Sequence, residues 1–249
     1  MADRKQTIET MLERDGIVYI SELVKLFPDV SAMTIRRDLD FLERKGAALR
    51  IYGGAQKKTY GSEPYYSFRA NKNREAKARI AALGVKLIGE GATVFIDCGT
   101  TAMELAKVLP NMPLFVITNA PNIAIELSKR ESISVMVLGG QLNRDNYSIS
   151  GRPAEEMLKS LNIDIAFIAS SGLSLKSGFS CGNYNEKEMK AAVLGKARKR
   201  LILMDGAKID KNMMFTFAHF SDIDALITDK PLPVELAEAA GAAGVEILS

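Results

Sequence analysis

Apolar positions in the first 57 residues recur at the spacing of short helices. Ile8, Met11 and Leu12 share one side of a helix from about Arg4 to Arg14, and Gly16 stands where a helix C-cap is expected. Val18-Tyr19-Ile20 is short and extended. Ser21 is placed to cap a second helix carrying Leu23, Val24, Leu26 and Phe27, and Pro28-Asp29 marks the turn after it. Ser31 then caps a third helix that reaches about Lys45 and stops at Gly46. On this helix Ile35, Leu39 and Leu42 face inward, while Met33, Arg36, Arg37, Asp40 and Arg44 fall roughly opposite, with Thr34 near the boundary. Ala47 to Ala55 reads as two short strands around a turn, a wing.

Beyond residue 70 the pattern changes. Residues 58–70, with Gly61, Pro64 and three tyrosines, read as a connector. A helix is expected from about Asn71 to Gly89. Continuous apolar strands then alternate with amphipathic helices, the strands lying near 92–97, 114–118, 133–138, 163–168, 200–204, 225–228 and 245–248. That alternation predicts a largely parallel sheet covered on both faces. The expected organisation is a winged helix-turn-helix over 1–57, a linker over 58–70 and an α/β domain over 71–249.

Composition narrows the function. Apolar content of 47% and charged content of 25% over 249 residues suit a globular protein. No run approaches a membrane span, and the polar start at Met1-Ala2-Asp3-Arg4 lacks a signal-peptide core, so the cytoplasm is the expected compartment. Two cysteines are too few for a disulfide framework. A single histidine, His219, leaves metal sites and Ser-His-Asp catalysis without support, and no cofactor is expected. Net charge is only +3, yet residues 36–58 hold seven basic residues against Asp38, Asp40 and Glu43. That local excess of four is what phosphate contact requires, although charge alone fits a solvated face equally well.

The third helix is suited to the major groove of double-stranded DNA. Arg36 or Arg37 can pair with guanine and Met33 can meet a thymine methyl. Ser21, Ser31, Thr34, Asp40, Arg44 and Arg50, with the Gly53-Gly54 backbone, complete the candidate DNA face. In parallel sheets, ligands bind beyond the carboxyl ends of the strands. Those ends are Asp97-Cys98-Gly99-Thr100-Thr101, Thr118-Asn119, Leu138-Gly139-Gly140, Ser170-Ser171-Gly172 and Asp205-Gly206-Ala207-Lys208. Gly99 permits a tight turn, and the amides of Thr100 and Thr101 at a helix start suit a phosphate. Each turn alone is ordinary; five together favour one shared site. Ser180 to Asn183 is a further loop near it.

Val30-Ser-Ala-Met-Thr-Ile-Arg-Arg-Asp-Leu39, Leu42-Glu-Arg-Lys-Gly46 and Arg50-Ile-Tyr-Gly-Gly-Ala55 resemble the helix-turn-helix and wing of the DeoR family of bacterial repressors. The strand-end turns, with Glu186-Lys-Glu-Met-Lys190 and Thr228-Asp229, resemble that family's sensor domain. The resemblance implies a fold like ribose-5-phosphate isomerase and a phosphorylated sugar as effector. It nominates Gly99, Thr100, Thr101, Asn119, Gly140, Lys190 and Lys208 for effector contact, beside Asp97 and Asp205. The turn at 205–208 departs from relatives that carry a serine before the lysine.

The expected function is therefore a DNA-binding repressor of carbohydrate metabolism, released by a sugar phosphate and working as a homo-oligomer. A sugar-phosphate isomerase is the alternative, with Asp97, Asp205, Lys190 and Lys208 as acid and base groups. Against it, no loop pairs two carboxylates, and a DNA reader is an odd attachment for an enzyme. A purely architectural DNA protein leaves the five aligned turns unexplained.

Overall fold

The computed structural model describes residues 4–45, 47–57 and 66–249, apart from the side chains of residues 44, 45 and 68. The chain divides into two compact units, Met1–Asn71 and Lys72–Ser249.

The first unit runs α1 (Arg4–Asp15), β1 (Ile17–Tyr19), α2 (Ile20–Leu26), α3 (Ala32–Lys45), β2 (Ala48–Ile51), β3 (Gly54–Lys57) and α4 (Tyr66–Asn71). Helical spacing brings Ile8 and Leu12 of α1, Leu23 of α2, and Ile35, Leu39 and Leu42 of α3 into one core. Val18, Ala48 and Ala55 close it from the strands. Burying each Leu or Ile contributes about 1.5–3 kcal/mol. Gly16 ends α1 at φ +76°, its N–H donating to the Leu12 carbonyl at 3.0 Å. Ser31 caps α3, its Oγ accepting from the Thr34 N–H at 3.2 Å. Ser21 does not cap α2. That helix starts one residue earlier, and the Ile20 N–H donates to the Gly53 carbonyl at 2.7 Å, so the wing supplies the partner that a cap would. The stop at Gly46 and residues 58–65 of the connector lie outside the described residues.

In the second unit the long helix expected from Asn71 is broken. Asn73 adopts the left-handed conformation at φ 53°, which Asn tolerates better than most residues. Helix α5 (Arg74–Gly84) follows, then a 3-10 turn over Val85–Leu87. The strands are β4 (Thr93–Ile96), β5 (Leu114–Thr118), β6 (Ile133–Val137), β9 (Ile163–Ala169), β12 (Ala197–Leu203), β14 (Ala225–Ile227) and β15 (Glu246–Leu248). They pair in the order β15-β14-β12-β9-β4-β5-β6, every pairing parallel. Alternation along each strand feeds two cores. Phe95, Ile117, Ile168 and Ile202 pack with α8 (Arg152–Lys159), α9 (Tyr184–Lys196) and α10 (Val234–Ala242). Val94, Ile96, Phe167 and Leu203 pack with α5, α6 (Thr100–Val108) and α7 (Pro121–Leu127).

Two smaller pieces went unread in the sequence: the hairpin β7 (Gln141–Asn143)–β8 (Ser148–Ser150), and an antiparallel sheet of β10 (Gly172–Ser174), β11 (Gly178–Cys181) and β13 (Phe215–Ala218). Their short strands, such as Gln141-Leu-Asn143 and Ser148-Ile-Ser150, interrupt apolar residues with polar ones or glycine and carry no apolar run to stand out. Among the described residues no helix is long and apolar enough to cross a membrane.

Candidate functional site

In the first unit α3 turns Ile35, Leu39 and Leu42 fully inward, which leaves Met33, Arg36 and Arg37 exposed on the outer side. Ser31 and Ser21 are exposed at the starts of α3 and α2, and Thr34 is half-buried beside the Ser31 hydroxyl. Arg44 falls in the last turn of α3, and its side chain is not among those described. Arg50 and Asp40, both nominated for DNA, engage each other. The Arg50 guanidinium lies 3.4 Å from Asp40 with its side chain 19% exposed, and the Arg50 N–H donates to Glu43 at 2.9 Å. Arg50 thus ties the wing to the outer flank of α3.

Glycine sets the wing's position. Gly53 sits at φ +75°, and a Cβ on Gly54 would stand 2.1 Å from the Val18 carbonyl oxygen. Strand β3 can lie this close to β1 only without a side chain. Sequence reasoning missed a second anchor. Asp38, buried on α3, pairs with the Arg4 guanidinium of α1. A carboxylate on an otherwise apolar flank of α3 was the available signal.

In the second unit, Asp97, Asn119, the Gly139-Gly140 turn, Ser170 and Asp205 follow β4, β5, β6, β9 and β12, which are five neighbouring strands. Their ends therefore share one edge of the sheet. Gly99 takes φ +118° and lets the chain turn straight into α6, whose first residues are Thr100 and Thr101, both buried. The first N–H groups of a helix have no intrahelical acceptor. Gly140, at φ +146°, has Ser150 so close that a Cβ would lie 2.5 Å from its carbonyl oxygen.

Lys190 reaches this edge from α9. Its ammonium donates to Asp97 Oδ2 and, at 2.9 Å, to the Ala169 carbonyl, and the Ala169 N–H donates to the same Asp97 oxygen at 3.0 Å. Burial works against the Lys190 charge. The attraction of Asp97, joined by Cys98, Glu186 and Cys181, outweighs it and holds the lysine above its ordinary range. One helical turn earlier, buried Glu186 accepts from the Asn146 amide, and Asn146 in turn accepts from the Ser148 N–H and hydroxyl. The hairpin is held a second time where the Ile149 N–H meets the Asn119 carbonyl at 2.7 Å. Glu186 and Asn146 were not among the sequence-derived candidates. Position 186, one turn before Lys190 on a helix, was the signal.

Asp205 works on its own turn, Oδ1 accepting from Ala207 N–H at 3.1 Å and from the Asn73 amide at 3.0 Å. Lys208 is half-buried in that turn. Burial, then the charges of Lys208 and Lys72, push neighbouring Lys211 below the usual lysine range. Positive charge is thus concentrated beyond β12. Within the Ser180–Asn183 loop, Cys181 is fully buried and Asn183 caps α9. Among the described residues no group of three or more His, Cys, Asp or Glu is gathered as for a metal.

Residues 4–59 match the model of the DeoR-like helix-turn-helix domain, and residues 72–230 match that of the DeoR C terminal sensor domain. The chain is 36% identical over 220 residues to the HTH-type transcriptional regulator GlpR of Haloferax volcanii, covering 88% of this chain and 86% of that one. It is 31% identical to the glycerol-3-phosphate regulon repressor of Escherichia coli, over 94% of this chain and 92% of the relative. IolR of Bacillus subtilis is 30% identical over 93% and 92%. Among solved structures, ribose 5-phosphate isomerase A of Methanocaldococcus jannaschii aligns over 55% of each chain at 19% identity, with a TM-score of 0.42. Matched from its first helix through its sensor sheet, and similar to these relatives over most of its length, the chain belongs to the DeoR family of transcriptional regulators.

Proposed function

We propose that the protein represses an operon of carbohydrate metabolism and releases its operator when a phosphorylated sugar binds at the strand ends of the second unit. The observation that carries this reading is the meeting, on one sheet edge, of the start of α6, Asn119, Gly140 and Lys190. A helix start flanked by small residues suits a phosphate, and one of the relatives named above is named as the repressor of a glycerol-3-phosphate regulon. The exposed face of α3 reads the operator. A symmetric oligomer presents two such helices to two half-sites, because one helix alone has too little interface.

Binding rather than turnover is the favoured role. Three of the four groups that an isomerase would use are engaged with each other or the backbone: Lys190 with Asp97, and Asp205 with its own turn. Release requires the effector to prefer the DNA-free state, since equal affinity for both shifts nothing.

The test is a thermal-shift screen of sugar phosphates, repeated with Thr100→Ala and Lys208→Ala, alongside operator gel shifts. A ligand that binds only the folded protein raises its melting temperature. A stabilising compound that frees DNA, and fails on both variants, is the expected result. No stabilisation by any phosphorylated sugar, or measurable conversion of one, would overturn the reading.

A further inference from the structure

Among the described residues, a side-chain oxygen just past β4 and another just past β5 have no hydrogen-bond partner. Asp97 Oδ1 and Asn119 Oδ1 are buried, and nothing among the described residues donates to either. They belong together. Strands β4 and β5 pair with Ile96 opposite Thr118, so Asp97 and Asn119 are the next residues of neighbouring strands, roughly 4.8 Å apart across the sheet. Other atoms of both residues are engaged. Asp97 Oδ2 receives Lys190 and the Ala169 N–H, and the Asn119 carbonyl receives the Ile149 N–H. What is left over is one bare acceptor on each of these two neighbouring residues.

Acceptors call for donors. A phosphate or carboxylate oxygen cannot serve here, because it would face the Asp97 carboxylate. Lys190 already balances the charge of Asp97, so an uncharged O–H fits better than a second cation. Just past Asp97 the polarity reverses, since the opening turn of α6 at Thr100 and Thr101 offers N–H groups and suits an anion.

We infer that the strand-end site reads a ligand of mixed polarity, with an anionic group at the first turn of α6 and neighbouring hydroxyls donating to Asp97 Oδ1 and Asn119 Oδ1. This deepens the sugar-phosphate reading and rests on it. It also divides the phosphorylated metabolites. Polyol and sugar phosphates fit, whereas phosphorylated acids place a second negative group against Asp97. Neither oxygen is reached by solvent. Seating a hydroxyl there obliges the surrounding chain to give way, and the Asn119 carbonyl already holds the β7–β8 hairpin through Ile149. Occupancy of the acceptors is thereby coupled to a change of shape.

The experiment is calorimetric titration of the full-length protein with inorganic phosphate, glycerol 3-phosphate, ribose 5-phosphate, fructose 6-phosphate and 3-phosphoglycerate, for the wild type and for Asn119→Leu. The expected result is that at least one of the three polyol or sugar phosphates binds roughly tenfold or more tighter than both inorganic phosphate and 3-phosphoglycerate. In Asn119→Leu that preference falls about tenfold. A polyol preference that survives in Asn119→Leu would sink the inference and leave the sugar-phosphate reading standing. So would 3-phosphoglycerate binding as tightly as the best polyol phosphate. If none of the polyol or sugar phosphates binds, the sugar-phosphate reading itself fails and takes this inference with it. Should Asn119→Leu not fold, the wild-type comparison of polyol phosphates with 3-phosphoglycerate still decides.

Discussion

Lys190 and Asp97, 93 positions apart in the chain, meet as a buried ion pair at the carboxyl end of β4. The lysine comes from α9, which packs on one face of the sheet. The aspartate opens the turn into α6, which packs on the other. One contact thus joins the layers at the edge where the candidate site lies.

Removing one partner of a buried pair leaves the other uncompensated. Lys190→Met is expected to cost about 3–5 kcal/mol of stability, read from guanidinium unfolding. Asp97→Leu combined with Lys190→Met should recover much of that loss. A Lys190→Met protein as stable as wild type would show that the pair does not hold the layers. The pH profile has a definite sign. The folded-state pKa of Lys190 is raised, so its contribution is complete below the unfolded lysine pKa and is lost as pH climbs through the folded value. The gap between wild type and Lys190→Met should therefore stay flat up to about pH 10.

Acid acts on a different pair. The hydrogen bond from Arg200 holds Asp224 below the usual carboxylate range, and the backbone N–H of Arg200 adds a second bond at 2.7 Å. Its stabilising effect is present above the unfolded Asp pKa and is lost as pH falls through the lower folded value. Asp224→Asn should thus be less stable than wild type near neutrality, with the two converging below about pH 3. Parallel melting curves across that range provide the check.

Gly54→Ala should be among the most damaging single changes in the first unit. Its Cβ would lie 2.1 Å from backbone oxygen, which cannot swing aside as a side chain can. A loss of about 3 kcal/mol or more is expected, with loss of operator binding. Gly195→Ala, in α9 with nothing near the added methyl, should instead be neutral or gain up to about 1 kcal/mol. The melting temperature should fall in Gly54→Ala and should hold or rise in Gly195→Ala.

Arg36→Ala and Arg37→Ala should each leave stability within about 0.5 kcal/mol, since both side chains are exposed. Whichever arginine reads a base should cost about 1–3 kcal/mol on operator DNA and much less on random DNA at the same salt. Equal losses on the two DNAs would assign both arginines to phosphates.

The sequence made the large pieces legible because apolar runs and helical spacing alternate regularly along it. The seven strands stand out as apolar-rich runs between helical stretches, and the three helices of the first unit as apolar positions at helical spacing; all appear in the fold. Gly16, Ser31 and Gly99 were readable because each meets a local backbone need. Other features depend on partners far along the chain. Nothing near Ser21 reveals that Gly53 supplies the acceptor for the start of α2. Nothing in the helix pattern tells that Arg50 turns to Asp40, or that Glu186 meets Asn146, 40 positions away. The break at Asn73 was equally hidden, since a left-handed Asn looks in sequence like any polar helix residue.

The tight approach of Gly54 to Val18 separates two kinds of heritability in the first unit. The wing's placement is written into backbone geometry and tolerates almost no variation. The outward side chains of α3 at Met33, Arg36 and Arg37 support nothing in the core and can drift freely. A scaffold divided in this way can be retargeted to new operators by exchanging a few exposed residues. Duplicated copies of such a gene could therefore diverge in the promoters they address long before they diverge in shape.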